Sequence, residues 1–158
     1  MSESATLAAK LELEGRKLTR FMVELRADEW NAPVYADGGV WTTRSVFAHL
    51  LTAERAFIKL FDQIRLGGPG VTDDFDIDRY NASQQRKTAD LSPADLVGQF
   101  PEIRGQMVAL VSGLADVDLE KRARHPFLGV VTLREMIRMI YIHGQTHYRD
   151  VRRALTQA

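Results

Sequence analysis

The chain of 158 residues holds four histidines, and two of them stand four apart in "IYIHGQTHYRDV", residues 140–151. Residues four apart on a helix lie on one face, one turn apart. His143 and His147 continue a stripe formed by Met136, Ile140, Gly144 and Val151, so the apolar pattern turns both imidazoles toward the interior. Two such rings can reach one ion at about 2.0–2.1 Å each. The alternative is a pair of core histidines, each hydrogen-bonded to a neighbour, since buried polar groups need partners. The spacing is not that of a zincin. Position 144 is Gly where that motif carries Glu, so no general base is built in.

A protein metal site uses at least three side chains. His49, in "WTTRSVFAHLLTAE", borders the apolar arc of its helix, at about −60° from Val46. From there a ring can reach across to a neighbouring helix. Glu54 falls inside the same arc at about 80°. It offers an acceptor to a ligating ring, or a buried hydrogen bond to backbone or to the region of Asn81. His125 precedes Pro126 in "RARHPF" and is expected in a loop, facing solvent or serving structure, apart from the other three. Tyr148 and Arg149 follow His147 and are within reach of an anionic substrate, though an exposed helix position is the ordinary place for Arg149. Trp30 and Trp41 read as packing residues. The chain has no cysteine, so disulfides, thiolate ligands and a cysteine nucleophile are excluded.

The elements that must hold these residues are helical. Leu7, Leu11, Leu18, Phe21, Met22 and Leu25 repeat at helical spacing and predict a helix over about 4–28. "NAPVYADGGV" reads as a loop. Thr42 or Thr43 caps a second helix, which "LGGPG", residues 66–70, ends. The acid-rich stretch after it reads as a connection with a short helix near residues 80–87. Ser92, Pro93 and Asp95 in "LSPADL" mark the start of a third helix, running to about residue 114, with Pro101 able to kink or shorten it. "HPFLGVVTLREM" is a second connection, and Thr132 with Glu135 opens a fourth helix over about 133–156. The prediction is an all-α fold, a single-domain four-helix bundle over residues 1–158 with long connections near 66–91 and 115–132.

Composition narrows the functions. Lys+Arg and Asp+Glu each number 21, so no basic excess points to nucleic acid or an anionic membrane surface. Apolar residues make up 45% and charged residues 27%, ordinary for a globular protein. The N-terminus lacks a long apolar run, no stretch approaches the roughly 20 apolar residues of a membrane span, and a cytoplasmic protein is expected.

The second-helix segment "WTTRSVFAHLLTAE", the "LSPADLVGQF" helix start and the terminal "HGQTHYRDV" together resemble the DinB-like superfamily over nearly the whole chain. The resemblance implies an up-down-down-up bundle with His49, His143 and His147 as three metal ligands and further positions open to water or substrate. It implies a divalent ion, Zn, Ni, Fe or Mn, which the ligand set alone does not choose, and a low-molecular-weight thiol as a second cofactor in some relatives. These include bacillithiol S-transferases and mycothiol-dependent maleylpyruvate isomerases. The expected function is then a metal-dependent thiol transferase or hydrolase acting on a small electrophile. The alternative is a non-catalytic stress-response or small-molecule-binding protein with a structural metal. Relatives are often dimers, and Phe21, Met22 and Leu25 are candidates for a homodimer face if the first helix has a second apolar side.

Overall fold

The computed structural model describes residues 1–37 and 39–157. Four long helices dominate it: α1 (Glu3–Glu24), α3 (Thr43–Arg65), α5 (Pro93–Ser112) and α7 (Leu133–Thr156). Between them lie single-turn helices α2 (Ala27–Trp30) and α6 (Asp116–Leu119), the three-turn α4 (Ile77–Lys87), and strands β1 (Pro33–Tyr35), β2 (Trp41–Thr42), β3 (Arg122–His125) and β4 (Gly129–Thr132). Among the described residues no helix is long and apolar enough to cross a membrane.

The helix starts follow from their caps. Thr42 accepts from the Ser45 amide. Ser92 with Asp95, and Thr132 with Glu135, form reciprocal capping boxes that satisfy otherwise unpaired amides. The first helix is shorter than its periodicity suggests. Leu25 turns extended and the chain re-enters a helical turn that buries Trp30 against Phe47. Helix α5 runs through Pro101, which is exposed, so water can satisfy the carbonyl that proline leaves unpaired. Two segments expected to be loops are antiparallel hairpins instead. In "NAPVYADGGV", β1 pairs with β2, while Gly38 lies outside the described residues. In "HPFLGVVT", β3 pairs with β4, with His125 opposite Gly129.

The core has two parts, and they give the helix directions. One cluster combines Leu7 and Leu11 near the start of α1, Phe61 and Ile64 near the end of α3, Val111 near the end of α5 and Leu133 at the start of α7. The other combines Met22, Val46, Leu96 and Val151 from the opposite ends. Helices α1 and α7 therefore run one way and α3 and α5 the other, the up-down-down-up order. Met22 is buried in this core, while Phe21 and Leu25 are half-buried against the same cluster, Phe21 on Phe47 and Tyr148.

A buried ion pair lies between the two clusters. Arg104 of α5 donates to both Glu54 carboxylate oxygens on α3, at 2.6 and 2.7 Å, and to the Leu11 carbonyl of α1 at 2.8 Å. Both side chains are buried. This corrects the role expected for Glu54, whose partner is Arg104 rather than backbone, Asn81 or a histidine. Gly15 makes the crossing possible: a Cβ there would sit 2.6 Å from Arg104 Cγ. Replacing only Arg104, as Arg104→Met, leaves an uncompensated buried carboxylate and is expected to cost about 3–5 kcal/mol. The double change Glu54→Leu with Arg104→Met should recover most of that loss in urea denaturation. A single variant as stable as wild type would contradict the assignment.

Candidate metal centre

Helix α3 carries His49 and helix α7 carries His143 and His147 one turn apart. The two helices bring all three rings together. His143 Nε2 lies 3.2 Å from His49 Nε2 and 2.9 Å from His147 Nε2. One ligand atom from each ring lies within 4.8 Å of the other two. The rings meet nearly edge to face, at interplanar angles of 88°, 81° and 75°. Nitrogens bound at about 2.1 Å to one tetrahedral or octahedral ion sit roughly 3.0–3.4 Å apart. The observed contacts match that separation.

The proton inventory around His147 fixes which nitrogen faces inward. The Tyr35 hydroxyl lies 2.6 Å from Asp150 Oδ2 and 2.9 Å from His147 Nδ1. A tyrosine has one proton to give. It goes to the carboxylate, so His147 Nδ1–H donates to the tyrosine oxygen, and His147 Nε2 presents a lone pair to the cluster. The hydrogen bond from Tyr35 holds the Asp150 carboxyl below its usual range, and burial followed by the Asp150 hydrogen bond raises the tyrosine well above its own. The chain Asp150–Tyr35–His147 is the kind of outer support that orients a ligating imidazole.

All three imidazoles are held neutral. Burial, followed by the neighbouring His147, lowers His49 from 6.5 to about 4. Burial and the surrounding histidines lower His143 to about 3. Burial also lowers His147, with the charge on Asp150 opposing it. One proton on His143 Nε2 can point at only one of its two neighbours. Three converging Nε2 atoms are therefore poorly served by hydrogen bonds among themselves and well served by a cation. The residues present fit a divalent ion with nitrogen ligands, and among the described residues theirs is the one such group of histidine and acidic side chains.

The surroundings differ on the two sides of the cluster. On one side the β1–β2 hairpin covers it: Tyr35 stands edge-on to His147, and the Trp41 ring lies 5.3 Å from His49. Trp41 is thus a packing residue, but what it packs against is a candidate ligand. On the other side His49 and His143 border a cavity of about 330 Å³. His125 is buried, which removes the solvent-facing option. Its Nδ1 accepts from the Phe127 and Leu128 amides, it stacks on Phe57, and its Nε2 has no partner among the described residues. It is not part of the three-histidine group. Arg149 is mostly exposed and leans toward Asp150, while Tyr148 packs edge-on against Phe21, and neither borders the cavity. Asp150 and Tyr35 escaped the sequence reading. Asp150 had a signal, three residues beyond His147 on the same helix; Tyr35, 112 residues away in a presumed loop, had none.

Two outcomes follow. In imidazole ¹⁵N spectra of the metal-free protein, His147 should be the Nδ1–H tautomer, and Tyr35→Phe should shift it toward Nε2–H; an Nε2–H His147 in wild type would contradict the proton inventory. The unfolded chain binds protons on His49 and His143 near pH 6.5, the folded one only near 4 and 3. Stability of the metal-free protein should therefore be full above about pH 6.5 and fall as pH drops below it. The fall, read from urea midpoints, should be shallower in His143→Gln.

No curated protein sequence matches the chain. Among solved structures, YfiT from Bacillus subtilis, described as a probable metal-dependent hydrolase with an unusual four-helix bundle topology, superposes with a TM-score of 0.79 at 21% identity, covering 99% of this chain and 89% of that one. A mycothiol-dependent maleylpyruvate isomerase superposes with a TM-score of 0.73 at 15% identity, covering 94% of this chain. The chain spans only 59% of that isomerase. Identities this low establish the shared fold. The family model of the DinB superfamily matches residues 10–151, a span that includes all three histidines, and the chain belongs to that superfamily.

Proposed function

We propose that His49, His143 and His147 hold one divalent metal ion and that the protein is a metal-dependent enzyme, activating water or a thiol against a small electrophilic substrate. The observation that carries this reading is the convergence of three neutral Nε2 atoms beside a cavity that two of their rings border. A purely structural ion has no need of an adjoining cavity, whereas a catalytic site keeps positions open. When bound, the ion would lower the pKa of a coordinated water or thiol and so supply a nucleophile near neutral pH.

The chain's own groups divide the remaining work. Asp150 and Tyr35 hold His147 in the ligating tautomer. Trp41 and Tyr35 shield one side of the histidines, leaving approach to the cavity side. Among the described residues no aspartate or glutamate borders that cavity, so a proton given up there would pass to solvent. Hydrolysis is the first reading. Thiol transfer is the second, favoured by the structural likeness to a protein described as mycothiol-dependent.

Metal analysis of tag-free protein should find about one equivalent of a divalent ion. His143→Ala should lose it while far-UV circular dichroism stays the same. Tyr35→Phe should keep the fold and weaken the ion about 10–100-fold, the usual cost of an outer-shell partner. In Co²⁺-loaded protein, a small thiol should produce a sulfur-to-cobalt charge-transfer band if thiol transfer is the activity, and none if the nucleophile is water. Equal metal uptake by the His143→Ala variant would end the proposal.

A further inference from the structure

The cavity beside His49 and His143 has a chemistry of its own. One stripe of α3 forms its floor, running from His49 through Ala53, Ala56 and Leu60 to Gln63 at helical spacing. Ala53 and Ala56 leave room where larger side chains would close it. The opposite wall comes from the connection after α3. In "DDFDID", residues 73–78, Phe75 and Ile77 border the cavity while Asp74, Asp76 and Asp78 are exposed. The alternation turns the apolar residues inward and the acids out to solvent. Tyr80 and Asn81 of α4 extend this wall, and Pro126 and Phe127 of the β3–β4 turn close the end.

Charge is distributed unevenly along this space. Among the described residues Lys59 is the one charged residue bordering it. Among the described residues no carboxylate forms an ion pair with Lys59. It stands ten residues along α3 from His49, about 15 Å at 1.5 Å per residue. The volume of about 330 Å³ is at the small end of the roughly 300–1,000 Å³ typical of small-molecule sites. Spread along that length, it is one hydrocarbon chain or one flat ring wide.

We propose that this cavity binds an elongated, mainly apolar small molecule bearing a single anionic group, with the anion at Lys59 and the opposite end at His49 and His143. The apolar wall supplies most of the binding through burial of nonpolar surface. Lys59 sets the direction in which the molecule lies, because the other end meets only uncharged groups. The idea rests on the metal-dependent reading solely for the statement that the end at the histidines is the reacting one.

Octanoate and 1-octanol, which share a chain and differ in charge, test it. Calorimetric titration into metal-free protein leaves the carboxylate no ion to bind. Both should bind with one-to-one stoichiometry, octanoate more tightly. Lys59→Gln should weaken octanoate about three- to five-fold, the scale of a solvent-accessible ion pair, and leave octanol unchanged. Ala56→Trp should fill the cavity and abolish both, with circular dichroism confirming its fold. Failure of both ligands to bind wild type, binding undiminished in folded Ala56→Trp, or equal affinity of octanoate and octanol would each overturn the proposal. Metal analysis of the wild-type protein separates the two ideas: octanoate and octanol binding in a wild type that takes up no divalent ion would sink the metal reading and support the cavity.

Discussion

One guanidinium ties three of the four long helices to each other. Arg104 reaches from α5 to the Glu54 carboxylate on α3 and the Leu11 carbonyl on α1. A charge so deeply buried is tolerable only when each donor has a partner in good geometry. That requirement sets the relative height of three helices, and it demands Gly15, because no side chain fits where Arg104 crosses α1. The fourth helix is fixed differently. Glu3 at the start of α1 pairs with Arg134 at the start of α7, and further along Gly144 leaves room for Leu18 of α1, whose Cδ1 would lie 3.3 Å from a Cβ added there.

With the helices so placed, the histidines have little freedom. His49 lies on α3 little more than a turn before Glu54, so the ion pair that fixes α3 also fixes His49. His143 and His147 are held by the register of α7 and, for His147, by Tyr35 and Asp150. The support is polar and lies on the hairpin side, while the open side is apolar. This asymmetry lets one cluster be both rigidly oriented and approachable.

Much of this was legible in the sequence. The capping pairs Ser92–Asp95 and Thr132–Glu135 and the helical periodicity fixed four long helices to within a few residues at most ends. The i, i+4 spacing fixed that His143 and His147 share an inward face. Helical-wheel geometry put His49 at the edge of an apolar arc, and the structure turns it toward them. What escaped was long-range. Glu54 read as buried, yet nothing local names Arg104, fifty residues on, as its partner. The hairpins escaped because β1, β2 and their turn are too short to show strand alternation, and their pairing is settled by what they cover: Tyr35 and Trp41 lie against histidines far away in the chain. The proline after His125 reads as a loop, yet the ring is buried and stacks on Phe57 of another element.

The up-down-down-up order has a consequence for how such a protein can change. Because α3 and α5 run in the same direction, the chain after α3 must travel back along the whole bundle before α5 can begin. That obligatory return path is the segment that walls the cavity opposite α3. Among the described residues, those of this path that border the cavity, Val71, Phe75, Ile77, Tyr80 and Asn81, belong to neither core cluster, so they can be replaced with little effect on the packing that aligns the histidines. The topology thereby separates the part of the molecule that fixes the reactive centre from the part that selects what meets it, and new specificities can arise in one without a penalty in the other.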